Sequence, residues 1–198
     1  MNKIIVYFFS LFFAFQTSLY SYSSSPTDFI NELVNDVINK LSDESLTKEQ
    51  KVSFIEEVAL KNVDINALGL YTLGELRKSS NKDDILNYQK SFKKYFLKNL
   101  TSRLSDYSKS KFEIIDEDIK SANYTIVSSK VTPQDGSPEI KIDWRIYTKN
   151  PDRPLIRDLI VEGLSLARTQ KEEFNSILSS NNNDIKLLIR KLDEFINN

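Results

Sequence analysis

The reading of this chain turns on Ile156-Arg157-Asp158-Leu159-Ile160-Val161-Glu162-Gly163-Leu164-Ser165-Leu166-Ala167-Arg168-Thr169-Gln170-Lys171-Glu172-Glu173-Phe174-Asn175-Ser176-Ile177-Leu178. Leu159-Ile160-Val161 is a short apolar run that suits a buried strand. Gly163 interrupts it, and the hydrophobic period then changes. Leu166, Gln170, Phe174, Ile177 and Leu178 recur at steps of three and four, which predicts an amphipathic helix. A strand leading through glycine into a helix packs one against the other, so this corner is expected to join a sheet to a helical layer.

Working upstream, Ile140, Ile142, Trp144 and Ile146 alternate with Lys141, Asp143, Arg145 and Tyr147, the signature of a strand with one buried face. Thr132-Pro133-Gln134-Asp135-Gly136-Ser137-Pro138 reads as a hairpin loop before it. Tyr124 to Val131 and Phe112 to Glu117 supply two further strands. Asn81 to Tyr107 predicts a long helix with Ile85, Tyr88, Phe92, Tyr95, Phe96, Asn99 and Leu100 on a wide aromatic face, and lysines at 90, 93, 94 and 98 opposite or flanking it. Asn62 to Leu76 is a helix candidate that contains Gly69 and Gly74. Thr47-Lys48-Glu49-Gln50 has the form of a capping box, and Ser25-Pro26-Thr27-Asp28 opens a first helix with serine at the cap and proline in the first turn. Downstream, Ile185, Leu188, Ile189, Leu192, Phe195 and Ile196 form the stripe of a last helix. The order is helices, a four-stranded antiparallel meander, then two helices: an α+β domain with helices on one face of the sheet.

Residues 1–23 read as a signal peptide. Lys3 precedes an apolar run from Ile4 to Phe15, and Ser21 and Ser23 offer a cleavage site. That run is shorter than the about 20 residues a bilayer span needs. The competing reading is an uncleaved N-terminal anchor. Residues 24–198 then form one domain, long enough to bury about two thirds of its unfolded surface.

Composition narrows the function classes. The 198 residues hold 27 basic and 28 acidic groups, a net charge of -1, which is unlike a nucleic-acid binder. Cysteine and histidine are both absent, which removes disulfides, thiolate metal sites, the usual zinc ligand and the usual neutral-pH base. No cofactor is expected. Gly163-Leu164-Ser165 does not complete a nucleophile elbow, because Ala167 stands where that pattern needs glycine. Ser165 is better read as a helix cap or a polar turn residue. Asp158 and Glu162 would lie roughly 13 Å apart on a strand, too far for a glycosidase pair, and are expected on an exposed sheet face or at a strand end. Asp116-Glu117-Asp118 is expected to be a solvated strand end.

Asp158 to Leu166 with Thr169-Gln170 and Phe174, together with Leu73-Gly74-Glu75-Leu76-Arg77 and the aromatic helix bearing Phe92 and Tyr95, resembles the MlaC family, also called the toluene-tolerance or ABC-transporter auxiliary family. The resemblance covers roughly residues 26 to 195 and departs at Leu76, where many members carry an aromatic. It implies a periplasmic carrier of phospholipid that exchanges cargo with an outer-membrane lipoprotein complex and with the MCE-domain protein of an inner-membrane ABC transporter, without catalysis. A carrier must enclose acyl chains, since two chains of about 16 carbons represent roughly 25 kcal/mol of transfer free energy. The apolar faces either seal against each other or leave a cavity, and a carrier needs the cavity between sheet and helices. From periodicity, its walls are expected from Leu68, Leu73, Phe92, Phe96, Leu100, Ile142, Trp144, Ile146, Val161, Leu164 and Phe174.

Two other classes fit the same layout. One is an enzyme of the nuclear-transport-factor-2-like or ketosteroid-isomerase type, which needs a buried aspartate base facing the cavity. Asp143 points away from the apolar face, leaving Asp158. The other is a periplasmic chaperone or adaptor, which needs a large open apolar patch.

Overall fold

The computed structural model describes residues 22–104 and 110–197. The expected signal peptide therefore lies, up to residue 21, outside the described residues. Five helices come first: α1 (Pro26–Ser42), α2 (Lys48–Asn62), α3 (Ile65–Thr72), α4 (Leu76–Ser79) and α5 (Lys82–Leu104). The strands β1 (Ser110–Ser121), β2 (Tyr124–Pro133), β3 (Ile140–Tyr147), β4 (Leu155–Val161) and β5 (Leu164–Ser165) follow, and then α6 (Leu166–Ser179) and α7 (Ile185–Asn197). The strands pair in chain order as one antiparallel sheet.

The sheet has five strands rather than four. Glu162 and Gly163 take consecutive left-handed conformations, φ 49° and 81°, and fold the chain back so that Leu164 and Ser165 pair with Val161 and Ile160. Two left-handed residues in a row suit a tight hairpin, so the glycine makes a return strand before the helix starts. β1 is also longer than the expected Phe112 to Glu117, because it continues to Ser121 against β2 with two register shifts. Its second half is exposed on both faces, so no alternation marks it in the sequence.

Local chemistry explains the helix ends. Thr47 and Gln50 form the reciprocal capping box, with Thr47 N–H donating to Gln50 Oε1 at 2.8 Å and Gln50 N–H to Thr47 Oγ1 at 3.3 Å. Ser25 occupies the cap position of α1, but its hydroxyl makes no capping bond; its carbonyl accepts from Phe29 N–H at 2.7 Å. The stretch expected as one helix from Asn62 to Leu76 is instead divided. The Asp64 carboxylate starts α3 afresh by accepting from Ala67 N–H at 3.1 Å. Gly74, at φ 63°, then turns the chain toward α4, with its α-carbon packed so that an added Cβ would lie 3.3 Å from Asn175 Oδ1.

Two apolar clusters form. The first sets Phe29, Ile30, Leu33, Val37 and Leu41 of α1, with Ile55 and Val58 of α2, against Val127, Trp144, Ile146 and Ile156 of the sheet. In the sheet Val127 faces Trp144 and Thr125 faces Ile146, which places these side chains on one surface. The second cluster is helical, with Ala59, Ile65, Leu73, Tyr88, Phe92, Leu97, Phe174, Leu178, Ile185, Leu188 and Leu192 buried together. Phe174 packs edge to face on Phe92 (6.3 Å, 88°) and Tyr88 (6.4 Å, 85°), while Tyr88 stacks on Phe92 (5.8 Å, 30°).

Candidate functional site

The two clusters meet along a seam. Leu100 on α5 and Val63, just after α2, pack against both. Leu104, Phe112, Ile114, Ile142 and Leu159 pack half-buried on the sheet cluster, and Leu68, Tyr95 and Phe96 on the helical one. α5 is held chiefly by α7, α3 and α2, all helices, so the aromatic helix and the sheet are attached to each other largely through third parties. The faces expected to surround a cavity thus touch here through half-buried side chains.

The structure distributes the eleven expected wall residues as follows. Leu73, Phe92 and Phe174 are buried in the helical cluster, with Leu68 and Phe96 packed on it and Leu100 at the seam. Trp144 and Ile146 are buried in the sheet cluster, and Ile142 packs against them. Val161 is half-buried opposite Ile142 at the end of β4. Leu164 stands 68% exposed on the β4–β5 hairpin. Leu104, Phe112, Ile114 and Leu159 also pack half-buried on the sheet cluster, beyond the residues that periodicity marks. Alternation within β1 and β4 was the available signal, and short runs hid it.

Two polar contacts are sealed inside these apolar faces. The Trp144 indole Nε1–H donates to Ser129 Oγ at 2.8 Å, and that hydroxyl donates on to the Ile142 carbonyl at 3.0 Å. Ser129 is fully buried on β2, so the pair fixes the indole plane against the sheet. In the helical cluster the Tyr88 hydroxyl lies 2.8 Å from Thr72 Oγ1, which also donates to the Gly69 carbonyl at 2.9 Å. Burial pushes the Tyr88 phenol well above its ordinary range, and it pushes Tyr95 up too, with help from the nearby Glu173 charge.

One end of the seam is tied shut. The Arg157 guanidinium donates through Nε to Asp64 Oδ2 at 2.9 Å, with Nη2 in ion-pair contact with the same oxygen at 2.7 Å, donates through Nη1 to the Tyr124 hydroxyl at 2.8 Å, and lies 3.5 Å from the Tyr147 ring centroid. Beside it Asp64 N–H donates to the Ile156 carbonyl at 2.9 Å, and Val63 bridges Ile156 in parallel. These contacts pin the α2–α3 junction to the Tyr124, Tyr147 and Leu155 end of the sheet.

Asp158 is buried rather than on an exposed face. It accepts from Ser165 Oγ–H at 2.6 Å and Ala167 N–H at 3.0 Å, with Arg145 Nη1 at 3.7 Å. The return strand β5 is what brings these partners over it. Ser165 in turn caps α6 by accepting from Arg168 N–H at 3.1 Å. Asp158 shares the face of Arg145, opposite Trp144, so its carboxylate is occupied at the start of a helix and does not address the seam. Glu162 is exposed and accepts from Lys141 N–H. Among the described residues, no group of three or more carboxylates is gathered as for a metal ion.

Two concavities lie elsewhere. One, about 270 Å³, lies where Leu73, Gly74, Glu75 and Leu76 face Lys171, Asn175, Leu178 and Asn183. The other, about 600 Å³ and wide open, runs along the outer side of α2 at Phe54 and Leu60. No described helix is long and apolar enough to cross a membrane.

Comparison with known proteins gives two positive results. The family model described as MlaC protein matches residues 31–194. Among solved structures, a phospholipid-binding protein from Ralstonia solanacearum, in complex with a phospholipid, superposes with a TM-score of 0.71 over 84% of this chain and 94% of that one, at 17% sequence identity. No curated protein matches the chain.

Proposed function

This chain belongs to the MlaC family, and from that premise we propose that it is a periplasmic phospholipid carrier, moving diacyl lipid between an outer-membrane lipoprotein complex and the MCE-domain protein of an inner-membrane ABC transporter. The leader over residues 1–23 would deliver it to that compartment. Phospholipid as cargo is supported by the family and by the similar solved structure, a phospholipid-binding protein in complex with a phospholipid.

The observation that carries the reading is the seam between two apolar clusters. Acyl chains enter by parting the α5 side from the sheet side where Leu100 packs on both clusters, so that Leu100 and the half-buried Phe96 and Ile142 on either side gain contacts with methylenes. Each buried methylene contributes about 0.8 kcal/mol, which offsets the lost side-chain contacts many times over for two full chains. The Arg157–Asp64 tie keeps the opposite end closed, so the separation is a hinge motion rather than unfolding.

The carrier uses no catalytic group. The isomerase-like reading needs a free carboxylate aimed at the apolar space, and Asp158 is engaged by Ser165 and Ala167 on the other face. The chaperone reading needs one continuous open patch, whereas the exposed large apolar residues stand singly on α2, α3, α5 and α7 and in pairs at Ile115 and Ile119 of β1 and at Leu164 and Leu166. The test is lipid transfer from labelled donor vesicles to unlabelled acceptors. Wild-type protein should accelerate transfer, and Leu100→Asp, which places a charge at the half-buried seam, should abolish it while the fold persists. Equal transfer by the variant would overturn the seam as the lipid site.

A further inference from the structure

From Ile85 to Leu104 α5 carries Lys90, Lys93, Lys94, Lys98 and Arg103 and no acidic residue, in a chain whose net charge is -1. Lys90, Lys93 and Lys94 are exposed, and together with exposed Lys82 and Leu86 they recur at helical spacing on the outward face of the first half of the helix. None of these four lysines has a carboxylate within ion-pair distance among the described residues, although ten ion pairs are formed elsewhere. The acids nearest in sequence, Asp83 and Asp84, sit in the first turn, where the helix dipole accounts for them. Leu86 projects from the middle of this basic stripe with 54% of its surface exposed.

We propose that this face of α5 is the surface by which the protein settles on an anionic lipid bilayer. Two features select a bilayer over an acidic protein. The cations are all lysine, whose compact, strongly hydrated charge suits a diffuse field of headgroups, whereas protein interfaces favour arginine and are depleted in lysine. The exposed leucine among them matches the headgroup boundary, where an apolar side chain can dip below the charges. The rest of the molecule has a net negative charge, so an anionic membrane attracts this face and repels the others, which orients the particle. The inference builds on the carrier reading, for which approach to a membrane brings the cargo to its source or destination.

The experiment uses protein recovered from the periplasmic fraction of cells expressing the full chain. It measures co-sedimentation with phosphatidylcholine vesicles, with and without a minor share of phosphatidylglycerol. Wild-type protein should pellet only with the charged vesicles and should be released by salt, since screening shortens the field to about 8 Å at physiological ionic strength. The combined variant Lys90→Gln, Lys93→Gln, Lys94→Gln should partition on the order of a hundredfold more weakly. Its content of extracted phospholipid should be unchanged. Equal binding to both vesicle types, full binding by the variant, or capture by soluble polyglutamate without any vesicle binding would overturn the proposal. Charged-vesicle binding by a wild-type protein that carries no phospholipid would support the docking face and sink the carrier reading alone.

Discussion

Replacing Asp158 tests whether the corner between β4 and α6 is held as described. In Asp158→Ala the Ser165 hydroxyl loses its 2.6 Å acceptor and Ala167 N–H its 3.0 Å acceptor, at a site with only a few per cent of its surface exposed. Loss of a hydrogen bond to a charged group costs about 1.5–3 kcal/mol, and the favourable charge at a helix start contributes about 0.3–1 kcal/mol more. The hydroxyl can turn to another acceptor, whereas the amide at the helix start cannot. The expected loss is therefore about 2–4 kcal/mol. Asp158→Asn keeps one carbonyl oxygen to accept from Ala167 and should lose only about 1–2 kcal/mol. For a domain of this length the alanine variant should melt roughly 5–15 °C lower. Urea denaturation followed by circular dichroism gives both values, and a double-mutant cycle with Ser165→Ala gives the coupling, expected near 1 kcal/mol or more. Both variants within about 0.5 kcal/mol of wild type, or a vanishing coupling, would refute the capping role.

The remaining predictions concern packing, charge and titration. Gly69→Ala puts a Cβ 2.9 Å from the Phe92 ring and should destabilise by about 1–3 kcal/mol, read as a lower urea midpoint with unchanged slope. Breaking the tie with Arg157→Ala or Asp64→Ala should cost about 1–3 kcal/mol each, with the double variant costing less than the sum because the shared ion pair is lost only once; strictly additive losses would contradict the shared contact. Tyr88 is held neutral by burial, so its folded pKa lies above the unfolded value of about 10. Its contribution to stability is therefore complete below pH 10 and is lost as pH rises toward the folded value. Tyr88→Phe should be less stable at pH 8 and show a flatter fall in stability above pH 10, and an unchanged slope would count against the buried phenol.

Much of this architecture is legible in the residues themselves. The Thr47–Gln50 box, the Ser165 cap and the alternation from Ile140 to Tyr147 each state a local rule that the structure obeys. Failures occur where tertiary contacts override local pattern. Asp64 restarts a helix that the hydrophobic spacing alone would run through. The far half of β1 pairs with β2 while exposing acids on both sides, so its strand character comes from its partner and not from its own sequence. Asp158 looks like a surface carboxylate until the two left-handed residues Glu162 and Gly163 return the chain and bury it.

The candidate site is legible in a more limited sense. Periodicity identifies Trp144, Ile146, Phe92 and Phe174 as inward-facing, but it assigns no residue to one cluster or the other. The division into a sheet-side and a helix-side core, with Leu100 touching both, depends on how far α5 stands from the sheet. No sequence period encodes that distance. Leu164 shows the converse, since an apolar residue at the right spacing stands in solvent on a hairpin.

Mass spectrometry of an organic extract of the protein, recovered from the periplasmic fraction without detergent, tests the central claim most directly. The account predicts diacyl phospholipid in stoichiometric amount, reduced in Leu100→Asp. A protein that carries no lipid and takes none up from vesicles would contradict it.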